Sequence, residues 1–342
     1  MTNQIKKLLK RSDFINLCLV KQALRKNKQK EKADFDIAEF ELNKYQKYYE
    51  RTPDIENPKR ISELMFLQKL YFYDKRAVDM TDKIKCKTSV RKFTKHKLNF
   101  AKTYRTYEDA NEINLNDLPD DFVLKCNHNS GYIFYFKKNQ KGKYIIINLR
   151  DPTHKKYRFK TVKKILNVLL KMNYFYNSYE WNYKDIERKI FAEEYLDNEC
   201  LKEYKIYCSD GILLAFHIVS NRHISERNDF FDSDLKPLDV WADVPPSDVL
   251  PKLSSQLEKM LEIAKDISKG FPFVRIDLYD YKEKIYFGET TFFHQAGYLE
   301  FKYPDNLDEI LGKNIELSNE LKQKIFNNKK KKEKKQNNIL CK

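Results

Sequence analysis

Apolar positions recur along the chain at two spacings, and the changes between them mark its elements. Residues 33–73 read as helical: Asn57-Pro58 marks a start, and ISELMFLQKLYF repeats apolar residues at intervals of three and four. Phe66, Tyr71 and Phe72 in that run are expected in a core. Residues 74–120 mix charge with helix formers and close on a turn at 116–121. FVLKCNHNSGYIFYF then places a polar Asn/His/Ser/Gly loop between two apolar strands, the pattern of a β-hairpin, and KYIIINL adds a strand. TVKKILNVLLKM reads as an amphipathic helix with Val162, Ile165, Leu166, Leu169 and Leu170 on one side. RKIFAEEYL and EYKIYCSDGILLAFHIV read as strands, the second folding at Asp210-Gly211. Residues 230–253, with Asp232, Asp234, Pro237, Pro245, Pro246 and Pro251, read as a loop. LSSQLEKMLEIAKDISKG predicts a helix with Ser254 or Ser255 near its start and Gly270 closing it. FPFVRIDLYDYKEKIYFGETTFF predicts two strands joined by a turn. There is no internal repeat, and the order of elements implies an α+β chain of two or three lobes.

Composition narrows the chemistry. A chain of 342 residues, 41% hydrophobic, can build a packed core and more than one domain. Its 7 glycines form neither GxGxxG nor GxxxxGK[ST], its six cysteines form no CxxC pair, and its histidines form no HExxH. Reduced thiols, and neither a zinc site nor a disulfide scaffold, are expected.

Charge is unevenly placed. Residues 1–32 carry 10 Lys/Arg against 2 Asp/Glu, and residues 321–342 carry 9 Lys against 1 Glu, so the two ends account for the whole net charge of +16. Between them, residues 81–190 sum to +14 and residues 191–320 to −12. A basic half and an acidic half suit a site that holds a polyphosphate and metal ions; clustered solvated charge gives the same sums. No apolar run reaches the length of a signal peptide core or a spanning helix, so a cytoplasmic protein is expected. Ile5, Leu8, Leu9, Phe14, Ile15, Leu17, Leu19 and Val20 recur at helical spacing among Lys and Arg. That helix either lies on an anionic membrane or packs on its own domain. The tail KKKKEKKQNNILCK reads as disordered. Peripheral contact of the basic ends with the inner membrane face stays open, and no nucleic acid is expected, because aromatic residues are not interleaved with the charges.

Two strands carry the strongest chemical signal. Arg275 and Asp277 share one side of VRIDLYD, and Glu289 and Thr291 share one side of KIYFGETTFF. Carboxylates beside so many apolar residues need neutralising. Either Mg²⁺ bridges them, or Arg275 and Asp277 form a half-buried ion pair with Glu289 in solvent. Lys125, at the end of an apolar strand before a small polar loop, suits a phosphate contact. FAEEYL sets two acids at a strand end.

In this order LPDDFVLKCNHNSGY, EWNYKDIERKIFAEEYL, EYKIYCSDG, FPFVRIDLYD and KIYFGETTFFHQAGY, preceded by NPKRISELMFLQKLYF and MTDKIKCKTSVRKF, resemble the TupA-like ATP-grasp family of bacterial surface-polysaccharide loci over residues 57–317. The resemblance implies an ATP-grasp fold, two α+β lobes gripping ATP, with a helical N-terminal region at 1–73. A first lobe would occupy 74–120, a lid 121–200, a catalytic lobe with the Mg²⁺ site 201–320, and a basic tail 321–342. Lys125 would contact the ATP phosphates under a loop of Asn127, His128, Ser130 and Gly131. Glu193, Glu194 and Leu196 would form the adenine connector, with Glu203 near the ribose and Lys205 near the phosphates. Lys83 and Arg91 would reach ATP or substrate from the first lobe. Arg275 would stabilise the acyl phosphate or tetrahedral species. Asp277 and Glu289 would hold Mg²⁺, with Thr291 where ATP-grasp enzymes often carry an Asn ligand. His294 and Gln295 follow that strand and either face the acceptor or lie at the surface.

The implied activity is ATP-dependent carboxylate–amine ligation, in which a carboxylate becomes an acyl phosphate that an amine then attacks. The carboxylate would belong to a uronic acid of a capsule or similar glycan, or to its nucleotide-linked precursor, and the amine to a small molecule. The rival is a glycosyltransferase, for which Asp232-Ser233-Asp234 supplies DxD letters in a Pro-rich segment.

Overall fold

The computed structural model describes residues 13–33, 36–151, 153–197, 201–220, 225–240, 244–299 and 306–340. Ile5, Leu8, Leu9, Cys200 and Cys341 lie outside them. The chain forms two compact units that share it in an interleaved way: unit 1 takes 1–34, 78–87 and 100–197, and unit 2 takes 35–77, 88–99 and 198–342.

Unit 1 is built on a five-stranded antiparallel sheet: β1 Thr103–Tyr107, β2 Asp121–Cys126, β3 Ile133–Lys138, β4 Tyr144–Asn148 and β5 Ile190–Glu193, in the order β1-β5-β2-β3-β4. One face supplies Phe122, Leu124, Phe134, Phe136, Ile190 and Ala192 to a core completed by Val162, Ile165, Leu166 and Leu169 of the helix Phe159–Leu170. The helix Asp13–Lys32 adds Leu17, Val20 and Leu24 to the same core. Of the apolar stripe of the basic N-terminal helix, Leu17 and Val20 thus pack on this core, while Leu19 is exposed.

Unit 2 is built on a six-stranded antiparallel sheet: β6 Leu201–Ser209, β7 Ile212–Ser220, β8 Arg227–Asp232, β9 Pro237–Leu238, β10 Val274–Tyr281 and β11 Lys284–Thr291, in the order β11-β10-β6-β7-β8-β9. The helix Leu257–Ser268 lies on β6, β7 and β10 with Leu257, Met260, Leu261, Ile263, Ala264 and Ile267 buried. Its start carries the expected Ser254, whose Oγ accepts the Gln256 N–H at 3.0 Å, and Gly270 follows its end at φ +80°. The turn at Asp210-Gly211 puts both residues at positive φ, as a two-residue antiparallel connection requires.

The helix Ile61–Tyr71 is buried all round from Ile61 to Leu70. Lys69 and Glu41, the latter on the helix Ile37–Tyr49, pair at 2.8 Å with side chains 2% and 1% exposed. Tyr298 donates its hydroxyl to the same carboxylate at 2.7 Å, and Lys69 Nζ also donates to Ala296 O at 3.1 Å. Burial beside Glu41 raises the Tyr298 pKa.

Three expectations change. Residues 230–253 are not loop throughout, because Phe230 and Phe231 are buried in β8. The Asp232 carboxylate accepts the Asp234 and Lys236 N–H groups at 2.9 Å and turns the chain into β9. Thr103–Tyr107 is a strand within a stretch read as helix formers, because pairing with β5 overrides the local charge. Residues 321–340, read as disordered, continue the helix Asn319–Leu340; Leu321 and Ile325 are buried, and Lys324 pairs with Asp74 at 2.9 Å.

Candidate active site

In unit 1, strand alternation places Lys125 and Glu193 on the sheet face away from the core. Lys125 stands opposite Phe191, and Glu193 ends β5 between Val123 and Thr103. The Glu193 carboxylate, 9% exposed, takes Lys125 Nζ and Lys87 Nζ, each at 2.6 Å. Both ammonium groups lie over the Phe191 ring, at 5.2 and 5.8 Å from its centroid. Burial pushes the Glu193 pKa up, and the two lysines more than reverse it, leaving it lowered. Two cations on one carboxylate leave a positive charge, which suits a phosphate. Sequence reading chose Lys83 from DKIKCK and passed over Lys87, whose role appears only when the Cys86–Ser89 turn is set beside β1. Lys83 is half-buried, and its N–H donates to Asn127 O at 3.2 Å.

The loop after Lys125 is anchored by its first residues. Asn127 Nδ2 donates to Glu187 O at 2.8 Å, and its Oδ1 accepts the Lys189 N–H at 2.8 Å. His128 Nε2 lies 3.1 Å from Leu169 O and Nδ1 lies 3.3 Å from Asn127 Oδ1. Asn127 is satisfied by protein groups, and a neutral His128 donates to one of its two oxygen neighbours, while Ser130 is exposed and Gly131 holds φ +100°. Glu194 accepts the Lys102 N–H at 3.0 Å and donates its own N–H to Lys102 O at 2.8 Å, pinning the stretch that leaves β5. Leu196 is half-buried.

Burial lowers the His128 pKa from 6.5 to about 4. The unfolded chain therefore takes up this proton first as pH falls. The contribution of the neutral ring is complete above about 6.5 and is lost on the way down to about 4, about 3 kcal/mol in all. His128→Gln is expected to flatten the fall of the melting temperature between those pH values; an unaltered acid limb would contradict a buried neutral ring.

In unit 2, the sheet face opposite the helix Leu257–Ser268 is polar. Arg275 Nε and Nη2 donate to the two oxygens of Asp277 at 2.6 and 2.8 Å. Lys205 Nζ reaches Asp277 Oδ2 at 2.5 Å and Glu203 Oε1 at 2.7 Å. Arg275 Nη2 also donates to Glu289 Oε1 at 3.2 Å and Thr291 Oγ1 at 3.0 Å. Burial pushes the Arg275 pKa down; Asp277 and then Glu289 outweigh it and raise it. Strand pairing explains the convergence: Asp277 faces Glu289 on one side and Lys205 on the other. A bulge after Asp277 leaves Gly288 under Tyr279, where a Cβ would come within 2.8 Å of the ring. The Arg275–Asp277 pair of the second reading is thus present. Glu289, though 39% exposed, is bonded to Arg275 and not left to solvent.

Asp277, Glu289 and Thr291 offer only hard oxygen donors, the chemistry Mg²⁺ requires. Among the described residues no group of three or more His, Cys, Asp or Glu side chains is arranged to hold a metal. A cation here would rest on the Asp277–Glu289 pair and on phosphate oxygens. Arg91 is exposed on the short turn Val90–Lys92 in the 88–99 segment of unit 2.

Sequence reading missed Tyr207 and His217. Tyr207 OH lies 3.1 Å from His217 Nδ1 and 3.3 Å from His294 Nδ1, on the face that carries Arg275. Their signal was the alternation along β6 and β7, masked because both strands are otherwise apolar. In Asp232-Ser233-Asp234, Asp232 caps a turn on its own backbone.

A model of the family described as TupA-like ATP-grasp matches residues 63–316. No curated protein matches the chain. Among solved structures, the ATP-grasp ligase PsnB complexed with minimal precursor is similar at 10% identity and TM-score 0.34, over 74% of this chain and 62% of its own. D-alanine–D-alanine ligases from Bacillus anthracis and Helicobacter pylori are similar at 14% identity, with TM-scores 0.31 and 0.34, over 62% and 70% of this chain and 56% and 59% of theirs. The chain spans about three fifths of the length of these structures.

Proposed function

Because the chain belongs to the TupA-like ATP-grasp family, we propose that it is an ATP-dependent carboxylate–amine ligase using Mg²⁺. Its substrates would be a uronic acid of a surface polysaccharide, or the nucleotide-linked precursor, and a small amine. The observation that carries this reading is the unit 2 network, in which Asp277, Glu289 and Glu203 surround Arg275 and Lys205. Three carboxylates against two cations leave one negative charge on a largely buried face. Such an arrangement costs folding energy and is explained by a task.

A free carboxylate resists attack by an amine. Transfer of the γ-phosphoryl group of ATP makes it an acyl phosphate, after which C–N bond formation expels phosphate. Arg275 would neutralise charge on the activated carboxylate. Lys125 and Lys87 would trade their bond to Glu193 for phosphate oxygens. Glu194 and Leu196 would border the base, and Ser130 and Gly131 the phosphates. Asp277 and Glu289 would hold Mg²⁺, which when bound supplies charge neutralisation for the transferring phosphoryl group. Little covalent help is needed, which accounts for the lack of a nucleophilic triad motif in the sequence. The charged helix Asn319–Leu340 leaves contact with an anionic membrane as part of the same proposal. Among the described residues no helix is long and apolar enough to cross one.

The test is incubation with ATP, Mg²⁺, uronic acids and small amines, followed by ADP release and the mass of the amide. Consumption of a nucleotide sugar without ATP would replace this reading with a glycosyltransferase. Lys125→Ala is expected to weaken nucleotide binding about ten- to a hundredfold, since Lys87 still neutralises Glu193 and keeps unit 1 folded. Unchanged affinity would remove Lys125 from the phosphate site.

A further inference from the structure

The hydroxyl of Tyr207 sits between two imidazole nitrogens, His217 Nδ1 and His294 Nδ1. A phenol has one proton, so it donates to one ring and accepts from the other. The direction of this chain decides what His294 presents at Nε2, which has no hydrogen-bond partner among the described residues. With His217 donating to Tyr207 and Tyr207 to His294, Nε2 carries a proton and donates. In the opposite direction Nε2 accepts.

The ligand that the site would take chooses between the directions. His294 is half-buried as a residue, so part of it is open to a ligand. Burial first, then Arg275, His217 and Lys205, push its pKa well down. Under the ligase reading the substrate carboxylate pairs with Arg275, and a carboxylate only accepts hydrogen bonds, so the imidazole nitrogen beside it must donate. The backbone around it is also fixed: Gln295 and Ala296 hold positive φ, and Lys69 grips Ala296 O.

We propose that His294 Nε2–H donates a hydrogen bond to the substrate carboxylate beside Arg275, in a tautomer set by Tyr207 and His217. The role rests on the ligase reading. As the C–N bond forms and the C–O bond to phosphate breaks, the carbonyl oxygen gains negative charge, and a donor already in place stabilises it. The amine nitrogen gives up a proton, which leaves with the departing phosphate and the electron pair of the broken bond. His294 stays neutral throughout, and Tyr207 and His217 act as positioning residues.

Nitrogen NMR of the full chain labelled in histidine tests the tautomer without any reaction. A neutral His294 protonated at Nε2 from pH 5.5 to 8 is expected, with Tyr207→Phe giving a mixture of tautomers. A proton on Nδ1 alone, or an imidazolium at pH 7, overturns the proposal. Calorimetric titration with glucuronate as probe gives the second readout. His294→Ala is expected to weaken binding about tenfold or more, and His294→Gln, whose amide also donates, to recover most of it. Glucuronate binding that depends on His294 without ADP release would remove the ligase reading and keep the hydrogen bond. ADP release indifferent to His294→Ala would keep the ligase and remove the hydrogen bond.

Discussion

Asp277→Asn is expected to reduce ATP turnover at least about a thousandfold and to destabilise unit 2 by about 3–5 kcal/mol, roughly 10 °C in melting temperature. Asp277 is 1% exposed and takes bonds from both Arg275 and Lys205. An amide in its place leaves two cations facing each other out of water. Had the carboxylates been a pair reconciled only by a metal, the neutral variant would have held its stability or gained some. Turnover is therefore measured at a temperature where circular dichroism shows the variant folded. Glu289→Gln separates the two effects. Glu289 is 39% exposed and held by one bond of 3.2 Å, so its loss is expected to change stability by no more than about 1 kcal/mol while still removing most turnover. A Glu289→Gln variant that is fully active would show the network to be structural alone.

Lys69→Met is expected to destabilise the protein about as strongly, by about 3–5 kcal/mol. It leaves the buried Glu41 carboxylate, whose Oε1 has no partner among the described residues, without its cation. The double variant Lys69→Met/Glu41→Gln removes both charges and keeps an acceptor for Tyr298, so calorimetry is expected to show it well above the single variant. A double variant no better than the single one would mean that Lys69 acts through its bond to Ala296 O and the turn that carries His294.

Much of this was legible before any coordinates. The helix with Val162, Ile165, Leu166 and Leu169 buried, the hairpin flanking residues 127–132, and the strand pair bearing Arg275, Asp277, Glu289 and Thr291 all follow from period and turn chemistry. Each is a local pattern in which one face is apolar. What escaped depends on partners distant in sequence. Thr103–Tyr107 is a strand because β5 lies beside it, nearly ninety residues later in the chain. Lys87 belongs with Glu193 for the same reason. Tyr207, His217 and His294 form a set only after three segments are assembled, and of the three only His294 stands out in its own. The lysine run of the tail gave no hint that Leu321 and Ile325 would seat its helix.

The interleaving of the two units bears on how the protein is born. The helix Ile61–Tyr71 leaves the ribosome early, yet Phe292 O and Phe273 N, which satisfy Gln68 on that helix, are synthesised more than two hundred residues later. Until then an element built to be dry on every side must wait in water, while unit 1, complete by residue 197, can already close around its own core. At elongation speeds of about 5–20 residues per second the interval lasts at least about ten seconds. Nascent chains halted between residues 200 and 270 should therefore be the ones that recruit chaperones and aggregate most readily, and a cell making this protein has reason to guard that window.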